Sequence, residues 1–315
     1  MSAVRTAYLD HAATTPMRPE ALEAMLPFYG ERFGNPSGSH RVARDARRAV
    51  DEARDSVAGV LGCRPSEVVF TGCGTESDSM ALVGTLRRRG GLAVCSSVEH
   101  HAVLDVVEHT GGRVVGVDAC GRIDLDELAA VLDDSVSVVS VMAVNNEVGS
   151  ITRMDEVVRT VRRHAPHALL HTDAVQAATW MDLRPLAAQV DLLALSAHKF
   201  GGPKGTGILM VREGVSLEPL MRGGGQEHER RSGTHNVAGI VAMAVALRLT
   251  DERRHDDVAR IATLRDARVD TLILMPRMPS AHHRRRSCRL TCCSFLVRTW
   301  EWLTAMPLLA RLPVS

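Results

Sequence analysis

The feature that most constrains this chain is an alternation of short apolar segments with helical patterns, running from about residue 66 to 212. Segments 67–71, 92–96, 113–117, 136–143, 168–172, 191–196 and 207–211 read as strands: they are short, rich in Val and Leu, and bounded by Gly, Asp or Ser. Between and before them, 42–61, 77–89, 102–109, 124–131 and 154–164 carry helical spacing. Strands that are apolar throughout and separated by helices must be covered on both faces, which predicts a largely parallel sheet in an α/β fold. In such a sheet ligands sit beyond the carboxyl ends of the strands, so the polar residues at the strand exits become the functional candidates.

Composition removes other classes. The net charge is +1, from 38 basic and 37 acidic side chains. That lacks the basic excess of a nucleic-acid or membrane-surface binder. Apolar runs are all too short for a spanning helix, and residues 1–10 lack the charged start and apolar core of a secretory signal. Seven cysteines, an odd number without framework spacing, read as reduced thiols. At 315 residues the expectation is a cytoplasmic enzyme of about two domains.

Only two of the basic residues are lysines, Lys199 and Lys204. A lysine amine can lose its proton and attack a carbonyl, whereas a guanidinium stays protonated. Lys199 follows the strand 191–196 in the run Ser196-Ala197-His198-Lys199, and the preceding strand exits at Asp173. Two adjacent strand exits thus present a lysine and a carboxylate. A pyridoxal phosphate site needs that pair, the amine for a Schiff base and the acid to keep the pyridine nitrogen protonated. A helix-capping Asp and a solvated Lys explain either residue alone, but explain the pair poorly.

Other exits add weaker signals. Gly72-Cys73-Gly74-Thr75 opens a helix after the first strand and suits a phosphate, although an ordinary capped turn explains it about as well. Val98-Glu99-His100-His101 places a histidine where it could lie on a cofactor ring, or simply on the surface. Asn145-Asn146-Glu147 offers amides or a turn, and Gly223-Gly224-Gly225 with Arg231-Ser232-Gly233-Thr234 reads as a loop.

Together with Tyr8-Leu9-Asp10-His11-Ala12-Ala13-Thr14-Thr15-Pro16, Gly34-Asn35-Pro36-Ser37 and Asp173-x-x-Gln176, these residues resemble the cysteine desulfurases of the NifS/IscS type, in the class V aminotransferase group. The resemblance implies a fold type I pyridoxal phosphate enzyme: a mostly parallel seven-stranded sheet between helices, with an incomplete small C-terminal domain. It implies a segment 1–15 covering the active site, a cofactor-binding domain over 16–250, and a remnant or replacement of the small domain over 251–315. By the same resemblance Lys199 would bind the cofactor covalently, Asp173 would face the pyridine nitrogen, and His100 would stack on the ring and move protons. Asn146 and Gln176 would bond the phenolic side, while Gly74, Thr75, Ser196 and His198 would hold the phosphate. Thr234 would reach the phosphate of a second subunit, making the protein a homodimer. The implied reaction converts L-cysteine to L-alanine and passes the sulfur, as an enzyme persulfide, to acceptors such as an iron–sulfur scaffold or thiolation partners.

The resemblance stops after about Asp270, and the Ser/Gly-rich loop that carries the nucleophilic cysteine in the family is not found. Residues 281–315 hold six arginines against one acid, with Cys288, Cys292 and Cys293 among them. Their spacing fits no usual zinc pattern, and no metal is expected. A shifted reading frame accounts for this tail most economically; a relocated thiol is the other account. Three readings therefore stand: an active desulfurase, an impaired cofactor-binding relative, and a related selenocysteine lyase or aminotransferase.

Overall fold

The computed structural model describes residues 7–274, with side chains through residue 267. Cys288, Cys292, Cys293 and the arginine-rich tail lie outside the described residues. All seven expected strands form, as β1 (Val68–Thr71), β2 (Leu92–Ser96), β3 (Arg113–Val115), β4 (Val136–Ser140), β5 (Leu169–Asp173), β6 (Leu192–Ser196) and β7 (Gly207–Val211). They make one sheet in the order β1-β7-β6-β5-β4-β2-β3. From β6 through β3 every pairing is parallel, and β7 alone runs antiparallel to both of its neighbours. The reason is chain length. The link from Ser196 to Gly207 is too short to return over the sheet as a helical crossover, so β7 comes back alongside β6.

Side-chain alternation explains why the strands read as apolar at every position. Val68 and Phe70 of β1, Leu193 and Leu195 of β6 and Ile208 and Met210 of β7 belong to one buried cluster. Val69, Leu192 and Leu209, their immediate neighbours in sequence, belong to a second cluster with Met80, Leu82, Val103 and Val107. A strand sends successive side chains to opposite faces, and both faces here are covered. Helices α3 (Gly74–Arg89) and α4 (His101–His109) cover the second face. The first is covered by α1 (Pro19–Met25), α2 (Arg41–Leu61), α5 (Leu125–Val131), α6 (Met154–His164), α7 (Leu183–Ala187) and α8 (Val237–Leu274).

Helix α2 shows how locally the sequence sets its limits. His40 Nδ1 accepts from the Ala43 amide at 3.3 Å at its start, and Gly62 ends it in the left-handed conformation at φ 66°. Helix α8 was not anticipated. From Val237 to Leu249 it is apolar nearly all round and mostly buried against α1 and α2, so it lacks the one-sided stripe that marks an amphipathic helix. It continues unbroken through residues 250 and 251.

Candidate active site

The carboxyl ends of β1, β2, β4, β5 and β6 open on one pocket of about 850 Å³. Gly74, Thr75, His100, Asn146, Asp173, Gln176, Ser196, His198 and Lys199 all line it. These residues are spread over 126 positions of sequence (74 to 199) and meet because parallel strands bring their exits to one edge. Thr234 is the exception: it is exposed on a loop and outside this pocket.

Lys199 ends a single 3-10 turn, Ala197–Lys199, that follows β6 directly. Its Nζ donates to the carbonyls of Ala12 at 2.6 Å and Ala13 at 2.9 Å. Gln176 Nε2 donates to the same Ala12 carbonyl at 2.9 Å. The N-terminal segment is held there by Thr15, whose amide and hydroxyl both donate to the His198 carbonyl at 2.9 and 2.8 Å. His198 Nδ1 lies 3.1 Å from Thr14 Oγ1. Burial lowers the basicity of Lys199, while Asp173 and Asp10 oppose that effect. A partly buried amine with depressed basicity is a better nucleophile near neutral pH.

Asp173 closes β5 on the pocket floor. Burial raises its pKa, and the Val175 amide at 2.8 Å, His100 and Lys199 pull it back. Among the described residues it forms no direct ion pair, so it retains acceptor capacity toward a cationic group in the pocket. His100 caps α4: its Nδ1 accepts from the Ala102 amide at 3.1 Å, which puts the ring hydrogen on Nε2. Burial, then Lys199 and Lys204, lower the pKa of His198.

The start of α3 also lines the pocket. Helix α3 starts at Gly74, where amides lack partners within the helix, and its macrodipole favours negative charge. Cys73 caps it, with Sγ accepting from the Glu76 amide at 3.4 Å. Glu76 in turn accepts from the Gly72 amide at 2.7 Å and from Arg231 Nε at 2.8 Å, fixing the turn. A Cβ on Gly74 would stand 3.0 Å from Val175 Cγ2 and 3.2 Å from Ser196 Cβ, a tight fit that the missing side chain relieves. Besides capping the helix, Cys73 is exposed in the pocket lining.

Sequence reasoning missed the polar layer beneath this floor. Asp78, one turn into α3, lines the pocket and is buried. Glu99, adjacent to His100, is buried and accepts from Ser96 Oγ at 2.7 Å and the Met142 amide at 2.8 Å. His171, two residues before Asp173, is fully buried with Nδ1 at 2.8 Å from Ser140 Oγ. The one available signal was helical spacing, which puts Asp78 on the same α3 face as Gly74 and Thr75.

A strand-end lysine, a buried acid and a helix N-terminus line one pocket, the set of groups that pyridoxal phosphate calls for. The residues present fit that group in amine, acid and phosphate cradle. The chain belongs to the aminotransferase class-V family, whose model matches residues 7–312, past the point where the sequence resemblance ended. It is 42% identical over 270 residues to the cysteine desulfurase IscS of Dictyoglomus turgidum, covering 83% of this chain and 68% of that protein. A NifS-like protein superposes with a TM-score of 0.82 at 38% identity, covering 85% of this chain and 76% of the other. A structure described as SspA in complex with cysteine gives 0.72 at 35% identity, covering 77% and 72%. Family members depend on pyridoxal phosphate.

Proposed function

We propose that this protein is a pyridoxal phosphate-dependent cysteine desulfurase, converting L-cysteine and a protein thiol to L-alanine and a persulfide. The observation that carries the reading is the meeting of Lys199, Asp173 and His100 in one pocket beside the start of α3. Similarity to named cysteine desulfurases supports the reaction, and that to the cysteine-bound structure supports the substrate. Neither favours the impaired-relative or the lyase and aminotransferase readings.

When bound, the cofactor supplies an aldehyde carbon for amines and a ring that accepts electrons from the substrate. Gly74, Thr75, Ser196 and His198 would hold its phosphate, Asn146 and Gln176 its phenolic oxygen, and Asp173 the proton on its ring nitrogen. Lys199 Nζ would provide the covalent anchor and, once released by substrate, a base at the substrate α-carbon. His100 Nε2 can carry a proton on the face of the ring. The carbonyls of Ala12 and Ala13 accept from Lys199 Nζ and fix the position of the amine. The balance is closed: the substrate carbon–sulfur bond breaks, a sulfur–sulfur bond forms on the accepting thiolate, and the thiol's proton replaces sulfur on the carbon.

The acceptor must be a thiolate. Burial pushes the Cys63 thiol up to about 11 and the Cys95 thiol higher still, which makes both poor acceptors. Cys288, Cys292 and Cys293 are the acceptors that the sequence proposes. A homodimer completed by Thr234, a scaffold or thiolation partner, a cytoplasmic location, and the 1–15, 16–250 and 251–315 division belong to the same reading.

Incubation with L-cysteine and a reductant tests it. Stoichiometric alanine and sulfide are expected; a change in the cofactor spectrum without sulfide would overturn the desulfurase reading in favour of an impaired relative. Replacing the three C-terminal cysteines singly by Ser locates the acceptor, and loss of sulfide in none of them rejects the relocated thiol.

A further inference from the structure

Two buried polar atoms at the pocket, one on α3 and one on β5, lie against each other without a hydrogen-bond partner. Asp78 Oδ1 and His171 Nε2 are 3.5 Å apart, both shut off from solvent, and neither has a hydrogen-bond partner. His171 is anchored on its other side by Ser140 Oγ, at 2.8 Å. Residues 171 and 173 point to the same face of β5, so Asp78 packs against the strand position that aims Asp173 into the pocket. A buried polar atom without a partner is costly, and the contact that relieves both atoms is one proton placed between them.

Charge decides who owns the proton. The groups facing Asp78 are Asp173 and His171 from β5, Glu99 from the segment after β2, and Cys73 at the head of its own helix. Burial first, then the negative charges of Asp173, Glu99 and Cys73, drive its carboxyl well above the usual range. Burial holds His171 neutral, pushed down to about 3. A neutral imidazole facing a neutral acid accepts at Nε2 and carries its own hydrogen on Nδ1.

We infer that Asp78 is a positioning residue: its protonated carboxyl donates to His171 Nε2, His171 Nδ1 donates to Ser140, and this uncharged chain braces β5 while leaving the negative charge of the floor to Asp173. The inference rests on the pyridoxal phosphate reading for its purpose, but its proton placement does not depend on any bound group.

Nitrogen-15 NMR of histidine-labelled wild-type protein reads the tautomer directly. His171 is identifiable as the imidazole whose signals do not move across the neutral range. A hydrogen on Nδ1 is expected; a hydrogen on Nε2 means that Asp78 does not donate to His171 and overturns the inference, with or without cofactor. Spectral titration with pyridoxal phosphate supplies the second arm. Asp78→Leu should weaken binding about tenfold by orphaning His171, and Asp78→Asn, which keeps a neutral donor, should restore it to within about threefold. Failure of Asn to rescue Leu would show that a charge is needed at 78 and overturn the inference. If wild type itself binds no pyridoxal phosphate, the functional reading fails while the tautomer still decides this one.

Discussion

Arg54 of α2 and Glu227, 173 positions later, meet in a buried two-pronged ion pair, Nη1 to Oε2 at 2.8 Å and Nη2 to Oε1 at 2.7 Å. Glu227 also accepts from the Phe70 amide of β1 and contacts His235 Nε2, both at 2.8 Å. The pair holds a backbone that would not stay put unaided. Glu227, His228 and Glu229 have φ of 49°, 55° and 64°, a left-handed run costing about 1–2 kcal/mol per residue. Through Arg231 and Glu76 the same loop braces the start of α3. Removing one partner strands the other charge, so Glu227→Gln should cost about 3–5 kcal/mol in chemical denaturation.

The same carboxylate gives a sign for acid. Burial would raise Glu227, but the bonds from Arg54 and His235 outweigh it and bring the group down from 4.5 to about 2. Its folded pKa is depressed, so its contribution is complete above 4.5 and disappears as pH falls from there through 2. The stability difference between wild type and Glu227→Gln should shrink across that window. A constant difference would mean that the charge is irrelevant.

Glu99 acts in the opposite direction. Burial raises it from 4.5 to about 8, against the bonds from Ser96 and Met142. A raised folded pKa means that stability is complete below 4.5 and is lost as pH climbs toward 8, at about 1.4 kcal/mol per unit. Glu99→Gln should flatten that decline in denaturation curves measured from acid to mildly alkaline pH.

Lys199→Ala should abolish the protein-bound visible-edge absorbance formed with pyridoxal phosphate. Lys204→Ala, at an exposed position outside the pocket, should retain it. A band that survives at Lys199→Ala would remove the site assignment.

Gly207 begins β7 where it passes the turn after β1. A Cβ there would lie 2.6 Å from both the carbonyl carbon and oxygen of Cys73. Backbone cannot step aside cheaply, so Gly207→Ala should destabilise by about 1–3 kcal/mol. Because the displaced residue caps α3, it should also weaken phosphate binding, read by the same spectral titration.

All seven strands, and the five helices expected from periodicity, were legible because each depends on residues within a few positions of one another. The strand-exit clusters were legible for a related reason: a parallel sheet gathers its carboxyl ends whatever the strand order. Helix α8 was not, because burial on nearly all sides from Val237 to Leu249 erases the stripe that periodicity detects. The sequence thus determined the elements and the chemistry available at their ends. Only the tertiary structure decided that Ala12 sits on Lys199, that Asp78 faces His171 and that Arg54 clamps Glu227. Those contacts join residues far apart in the chain, through a strand order and a packing angle that no local spacing encodes.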